Sequence, residues 1–293
     1  MRELVVLSGK GGSGKTSVLS AFAAMPGEKI LCDADVDAAD LHLILDPEIL
    51  ETHDFVSGNT AVVVPEKCTE CGRCRELCRF SAIDEQFRID PLECEGCGVC
   101  VHFCPENAID FPENTCGQWF LSRTRFGPMA HARLGIAEEN SGKLVSLVRR
   151  EAEKLAEGNG IDLILTDGPP GVGCPVIASL GGASAVLIVS EPTVSGIHDM
   201  KRVVELCEFF GIPAWLAVNK FDLNLDQTKM IEAYSAEKGA KLMGRIPFDS
   251  AFTKAMVEGL SIQEYDPDGD AALAVSELWK TLEHELVSLP GKL

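Results

Sequence analysis

The sequence predicts an α/β protein, a doubly wound and mainly parallel sheet into which a small cysteine-rich domain is inserted. Three observations lead there. A short apolar run, Leu4-Val5-Val6-Leu7, meets a glycine-rich turn and then a helix-compatible stretch over residues 17–24. Further strand-like runs at 29–32, 161–166, 185–189, 214–218 and 242–246 are interleaved with segments of helical spacing. Eight of the twelve cysteines lie between Cys68 and Cys104, in two sets with one spacing.

The first turn, Gly9-Lys10-Gly11-Gly12-Ser13-Gly14-Lys15-Thr16, fits the P-loop pattern G-x-x-x-x-G-K-[ST] at every fixed position, between strand and helix as the pattern requires. The backbone N–H groups of Gly11, Gly12, Ser13 and Gly14 are expected to curl round phosphate oxygens. The helix start, through Ser17, adds unpaired donors and a positive dipole end. Lys15 is placed to reach the β- and γ-phosphates, and the Thr16 hydroxyl to hold Mg²⁺.

Lys10, directly after the first glycine, brings a second lysine to the cradle. The stretch resembles the deviant Walker A motif of the MinD/ParA/Mrp ATPases, a group that includes the nitrogenase iron protein. That resemblance implies ATP with Mg²⁺ as ligand, and an ATP-dependent dimer, of two copies or with a related ATPase, in which Lys10 crosses to the partner's nucleotide.

Composition is that of an ordinary soluble chain: 293 residues, 46% hydrophobic and 24% charged. A net charge of −19 argues against a nucleic-acid surface. Met1-Arg2-Glu3 runs straight into the first strand, so no signal peptide is expected, and no apolar run is long enough to span a bilayer. These features point to the cytoplasm, where thiols stay reduced and twelve cysteines read as metal or redox ligands rather than disulfides.

After the strand at 29–32 comes Asp33-Ala34-Asp35-Val36-Asp37, carboxylates at a strand end where parallel sheets bind ligands. The run resembles switch I of the MinD/ParA group. On that match Asp35 orients or activates the attacking water, and Asp33 sits nearer the metal. An extended piece over 55–64 then ends at Pro65.

Cys68, Cys71, Cys74 and Cys78, then Cys94, Cys97, Cys100 and Cys104, each follow C-x₂-C-x₂-C-x₃-C. In bacterial ferredoxins that spacing gives three ligands to one cubane and the fourth to the other. Cys68, Cys71, Cys74 and Cys104 are therefore assigned to one [4Fe–4S] cluster, and Cys94, Cys97, Cys100 and Cys78 to a second. Ser81-Ala82-Ile83-Asp84 follows the first set as Asn107-Ala108-Ile109-Asp110 follows the second, a repeat that resembles the pseudo-symmetric ferredoxin module. Structural zinc is the competing reading, and it favours paired C-x₂₋₄-C sites. Arg79 stands where the ferredoxin motif usually has proline.

Residues 118–126 and 129–136 form an expected hairpin, whose Arg123, Arg125, His131 and Arg133 are the densest cationic patch. A helix opens at Ser141 with Leu144, Leu147, Val148 and Leu155 on one face. The next strand ends in Asp167-Gly168-Pro169-Pro170-Gly171, a Walker B arrangement that puts Asp167 behind the ligands of Mg²⁺. The glycines and prolines resemble the Mrp branch. Cys174, ahead of Pro175 at a helix start, reads most simply as a small buried residue; the alternative is that it resembles the nitrogenase iron protein's cysteine that ligates a bridging cluster, which would add a third cluster with Cys116 as a further ligand.

Asn219-Lys220-Phe221-Asp222 reads as N-K-x-D, a guanine reader in GTPases. The resemblance implies instead that Asn219 contacts adenine, and that Pro247-Phe248-Asp249 borders the nucleotide. The closing helix, about 271–289, carries Leu273, Leu278, Leu282, Leu286 and Leu289; its acidic polar face fits packing on the sheet rather than on a membrane.

The expected domains are a P-loop ATPase in two parts, 1–64 and 113–293, around a 2[4Fe–4S] ferredoxin domain at 65–112. The leading function is an ATP-hydrolysing, dimer-forming iron–sulfur protein, slow without a partner, whose nucleotide state controls the ferredoxin module. Its further partner is a redox or metal-cofactor protein. A cluster carrier or assembly ATPase is the alternative, and a MinD/ParA-like spatial organiser on membrane or nucleoid comes third.

Overall fold

The computed structural model describes residues 1–135 and 140–291, so Ile136, the expected end of the hairpin, lies outside the described residues. The first half of the chain forms β1 (Arg2–Ser8), α1 (Lys15–Ala23), β2 (Ile30–Asp33), α2 (Leu41–Leu45), β3 (Glu48–Asn59), β4 (Val62–Val63), α3 (Arg73–Leu77), α4 (Val99–Phe103), β5 (Ile109–Asp110), β6 (Glu113–Thr124) and β7 (Gly127–Leu134). The second half forms α5 (Ser141–Asn159), β8 (Leu163–Pro170), α6 (Cys174–Leu180), β9 (Ala185–Ser190), α7 (Val194–Phe210), β10 (Ala214–Asn219), α8 (Leu225–Lys238), β11 (Lys241–Ile246), α9 (Ala251–Val257), α10 (Ile262–Tyr265) and α11 (Asp270–Ser288). Two compact units result: Met1–His53 with Trp119–Arg133 and Ser141–Leu293, and Asp54–Gln118 with Leu134–Asn140. The boundary falls inside β3 and β6.

The first unit is built on a sheet of order β11-β10-β9-β1-β8-β2-β7, with the first-unit ends of β6 and β3 at one edge. From β11 to β7 every neighbour pairs in parallel. Strands buried on both faces read as unbroken apolar runs. Val5, Leu7, Val186, Ile188, Leu216 and Val218 pack with α6, α7 and α8 on one face. Leu4, Val6, Leu187, Val189 and Ala217 pack with α1 and α11 on the other. The sheet is thus doubly wound, and the strand order turns at β1, whose carboxyl end opens the crevice where such sheets take ligands.

On α11 the buried face is Val275, Leu278, Trp279, Leu282 and Leu286, so the expected leucine stripe holds at 278, 282 and 286, while Leu273 is exposed. Trp279 lies against Phe22 of α1, the rings tilted with centroids 5.2 Å apart. No helix among the described residues is long and apolar enough to cross a membrane.

The second unit repeats itself in backbone as well as in sequence. α3 and α4 occupy equivalent stretches, each entered through a left-handed glycine, Gly72 at φ 80° and Gly98 at φ 69°. The left-handed positions Glu70 and Gly96, then Ser81 and Asn107, also match (φ 54°, 58°, 58° and 48°). Ala82 and Ile83 are buried as are Ala108 and Ile109, and β4 pairs antiparallel with β5.

Candidate functional site

β1 delivers the chain into the P-loop at Ser8, whose hydroxyl donates to the carbonyl of Lys10 at 2.8 Å. Two glycines are sterically required. A Cβ on Gly9 would overlap Asp199 Cβ at 2.4 Å, and one on Gly14, at φ +91°, would fall 2.4 Å from Asn219 Nδ2. The loop folds over an open cavity of about 390 Å³ lined by Gly11, Gly12, Gly14, Lys15, Thr16, Ser17, Asp35 and Asn219. Ser13 is buried instead, and Asp167 lies behind Thr16.

Lys15 Nζ stands 2.6 Å from Asp35 Oδ2 and 3.4 Å from Asp167 Oδ1. Burial opposes its charge, but Asp167 and Asp35 outweigh burial and raise its pKa. The Thr16 hydroxyl donates to Asp167 Oδ2 at 2.6 Å. Burial, foremost, raises the Asp167 pKa. A hydroxyl backed by a carboxylate is a hard-oxygen set that fits Mg²⁺, which draws its other ligands from phosphate and water. Asp33, expected nearer the metal, does not line the cavity. Its carboxylate accepts from the backbone N–H of Asp35 (3.1 Å) and Leu41 (3.3 Å), so it shapes the turn that presents Asp35.

On the opposite wall, Asn219 Nδ2 donates to the Ser13 carbonyl at 2.8 Å, tying the base-side loop to the P-loop. Asp222, the N-K-x-D aspartate, accepts from the backbone N–H of Phe248 at 2.7 Å and does not line the cavity. It anchors the loop instead of facing a base. Pro247, Phe248 and Asp249 do border the cavity, and so do Phe252 and Met256 of α9, which went unnoticed although their i, i+4 spacing marks one helix face. Also missed were Glu191 and Lys220. Glu191 takes Lys10 Nζ at 2.5 Å and Lys220 Nζ at 3.3 Å, and Lys220 reaches the Gly12 carbonyl at 3.1 Å. Lys10 is therefore held within its own chain, beside Ser195 Oγ at 3.2 Å.

The cationic patch is not one. Arg125 grips both oxygens of Glu264 (2.6 and 2.8 Å) and the carbonyls of Ile44, Leu45 and Gly259, while His131 is buried and bonded to Ser122. Arg123 and Arg133 remain exposed. Cys174 is exposed at the start of α6, whereas Cys116 is buried with its thiol on the Ser57 carbonyl.

In the second unit the eight cysteines surround two small cavities. Cys68, Cys71, Cys74 and Cys104 line one with Val63, Ala108 and Ile109. Cys78, Cys94, Cys97 and Cys100 line the other with Ala61, Ala82 and Ile83. Among the described residues no three His, Cys, Asp or Glu side chains converge on one point as a single ion demands. A cubane asks something different, one thiolate at each of four corner irons.

Residues 4–262 match the family model for the CobQ/CobB/MinD/ParA nucleotide-binding domain. The uncharacterized protein MJ0578 of Methanocaldococcus jannaschii is 30% identical over 284 residues, covering 96% of each chain. Among solved structures, the septum site-determining protein MinD of Pyrococcus horikoshii, complexed with Mg-ADP, superposes with a TM-score of 0.61 at 16% identity, covering 98% of this chain and 97% of its own. MinD from the Aquifex aeolicus MinC:MinD cell division complex does so with a TM-score of 0.58 at 19% identity, covering 100% and 99%. Cavity, paired aspartates, sheet order and family match agree: the chain belongs to the CobQ/CobB/MinD/ParA nucleotide-binding family and is a P-loop ATPase of the MinD/ParA type.

Proposed function

We propose that this ATPase carries two [4Fe–4S] clusters in its second unit and uses ATP-dependent dimerisation to control that unit's dealings with a redox or metal-cofactor partner. The carrying observation is the pair of apolar cavities, each walled by four thiols in the crossed grouping that the spacing implies. Cys68, Cys71, Cys74 and Cys104 would hold one cluster, and Cys94, Cys97, Cys100 and Cys78 the other. Bound there, each supplies one-electron storage. The buried apolar side chains of the second unit are few: Phe55, Ala61, Ala82, Ile83, Ala108, Ile109 and Cys116. So small a core needs a covalent or metal staple.

For the ATPase centre, Lys15 and the backbone of Gly11, Gly12, Ser13 and Gly14 would bind the phosphates, Ser17 would lie at the helix start, and Thr16 and Asp167 would serve Mg²⁺. Asn219 would border the base. A γ-phosphate competes for Lys15 and so frees the Asp35 carboxylate to orient the attacking water, while Lys10 leaves Glu191 for the nucleotide of the other protomer. Anaerobically prepared protein should contain about eight iron per chain. About two zinc instead would refute the clusters, and transfer of iron to an apo-protein would favour the cluster-carrier alternative.

The fold likeness to MinD proteins favours a second reading, the spatial-organiser role ranked third on sequence: a positioning ATPase whose second unit serves only for docking. Sedimentation with anionic liposomes or a DNA mobility shift, each dependent on ATP, would support it.

A further inference from the structure

The two halves of the second unit share what the fold demands and differ in charge. Cysteines, left-handed positions, buried Ala-Ile pairs and both short helices coincide. Where the first half has Arg73, Arg75 and Arg79, the second has Val99, Val101 and Pro105. The fold is satisfied without the arginines, as the second half proves. Between Asp54 and Gln118 there are twelve acidic side chains and five basic ones, and three of the five are these.

All three are exposed, in a stretch that carries Cys74 from one cavity and Cys78 from the other. Arg73 lies over the Phe103 ring at 5.6 Å, and Arg75 meets Glu85 only in an exposed pair. Among the described residues no hydrogen bond or ion pair holds Arg79. Leu77, Phe80 and Phe103 are 38%, 43% and 44% exposed, and Phe80 is at once wall of the Cys78 cavity and surface. Exposed aromatics ringed by arginine are the composition of a protein interface.

We propose that the α3 half of the second unit, centred on Arg73, Arg75, Arg79 and Phe80, is the docking face for a small acidic redox protein. The inference rests on the cluster reading above. Charge complementarity selects an acidic partner from a unit otherwise acidic, because like charge elsewhere turns it away and orients it on this face. The Phe80 wall makes this face the one through which the Cys78 cavity meets the partner.

The test uses the full chain, prepared anaerobically, and an acidic 2[4Fe–4S] ferredoxin as probe, with binding followed by calorimetry at about 20 and 300 mM salt. The variant Arg73→Val/Arg75→Val/Arg79→Pro copies the second half, so the fold has already accepted each residue, and a triple Arg→Lys variant keeps the charge. Binding of the wild type should weaken with salt. At low salt the Val/Val/Pro variant should bind about tenfold or more weakly, and the Lys variant close to wild type. Absent binding, binding insensitive to salt, or equal affinity in the Val/Val/Pro variant overturns the docking face. Salt-sensitive self-association lost in that variant overturns it in favour of a second copy. Iron is counted in the same samples: iron-free protein refutes the clusters themselves, whereas full iron with unaltered binding refutes only the face.

Discussion

Replacing Glu191 by glutamine should tighten the proposed ATP-dependent dimer. Glu191 holds Lys10 at 2.5 Å, with side-chain exposures of 14% and 32%, and burial of its carboxylate is outweighed by Lys10 and Lys220, which lower its pKa. Glutamine keeps the shape and removes the charge. A partly screened pair of this kind is worth about 1 kcal/mol net, far below its bare Coulomb attraction. If Lys10 must leave Glu191 before it can cross to the other protomer, two such pairs break per dimer. The variant should then gain about 2 kcal/mol, close to a thirtyfold lower dimer dissociation constant. Sedimentation equilibrium with a non-hydrolysable ATP analogue measures it. Salt should narrow the difference between the two proteins, since it already weakens the pair in the wild type. An unchanged or weaker dimer, with monomer nucleotide affinity intact, would refute the reasoning.

Lys15→Ala or Asp35→Ala should abolish or strongly reduce phosphate release from ATP while iron content stays the same; turnover at the wild-type rate in both would remove the centre. Arg125→Ala takes this donor from the carbonyls of Ile44, Leu45 and Gly259 and leaves Glu264 with the Ser261 N–H and hydroxyl, and should cost about 2 kcal/mol in chemical denaturation; a loss under about 0.5 kcal/mol would mean water replaces it freely. Burial lowers the pKa of Lys29 to about 8, against the pull of Glu283. Its depressed value means that between about pH 8 and 10.5 the unfolded chain binds the proton and the folded chain does not, so stability rises with pH across that window. Lys29→Met should flatten that rise, and parallel pH profiles for the two proteins would count against it.

Local rules made much of this legible. The P-loop glycines announce backbone shapes that only glycine takes freely, and the double-faced strands announce themselves as unbroken apolar runs. What stayed hidden depends on partners far away in sequence. Arg125 and His131 looked like surface charge because composition does not say that Glu264 and three carbonyls await the one, or Ser122 the other. α2 is five residues long, too short to show a period. Glu191 is one acid among many until the fold brings Lys10 and Lys220 to it. In the N-K-x-D stretch, motif and geometry part company, because the aspartate is spent on the Phe248 N–H.

The same contacts suggest how a nucleotide could be felt beyond its cavity. Asp33 pins the turn that presents Asp35 and, through the Leu41 N–H, the first residue of α2. At the other end of α2, Arg125 holds the carbonyls of Ile44 and Leu45, and the chain passes at once into β3, the strand that continues into the second unit. α2 is thus held at both ends, by a residue next to the Lys15–Asp35–Asp167 cluster and by one on the β6–β7 turn. On the proposed function, transfer of Lys15 from Asp35 to phosphate would change the charge balance at one end only. If α2 is what moves, Arg125→Lys, which keeps the charge but cannot grip Glu264 with two nitrogens, should blunt the difference that ATP makes to hydrogen exchange in β3 while leaving ATP affinity near wild type. An undiminished response in β3 would show that switch I and the strand communicate by another route.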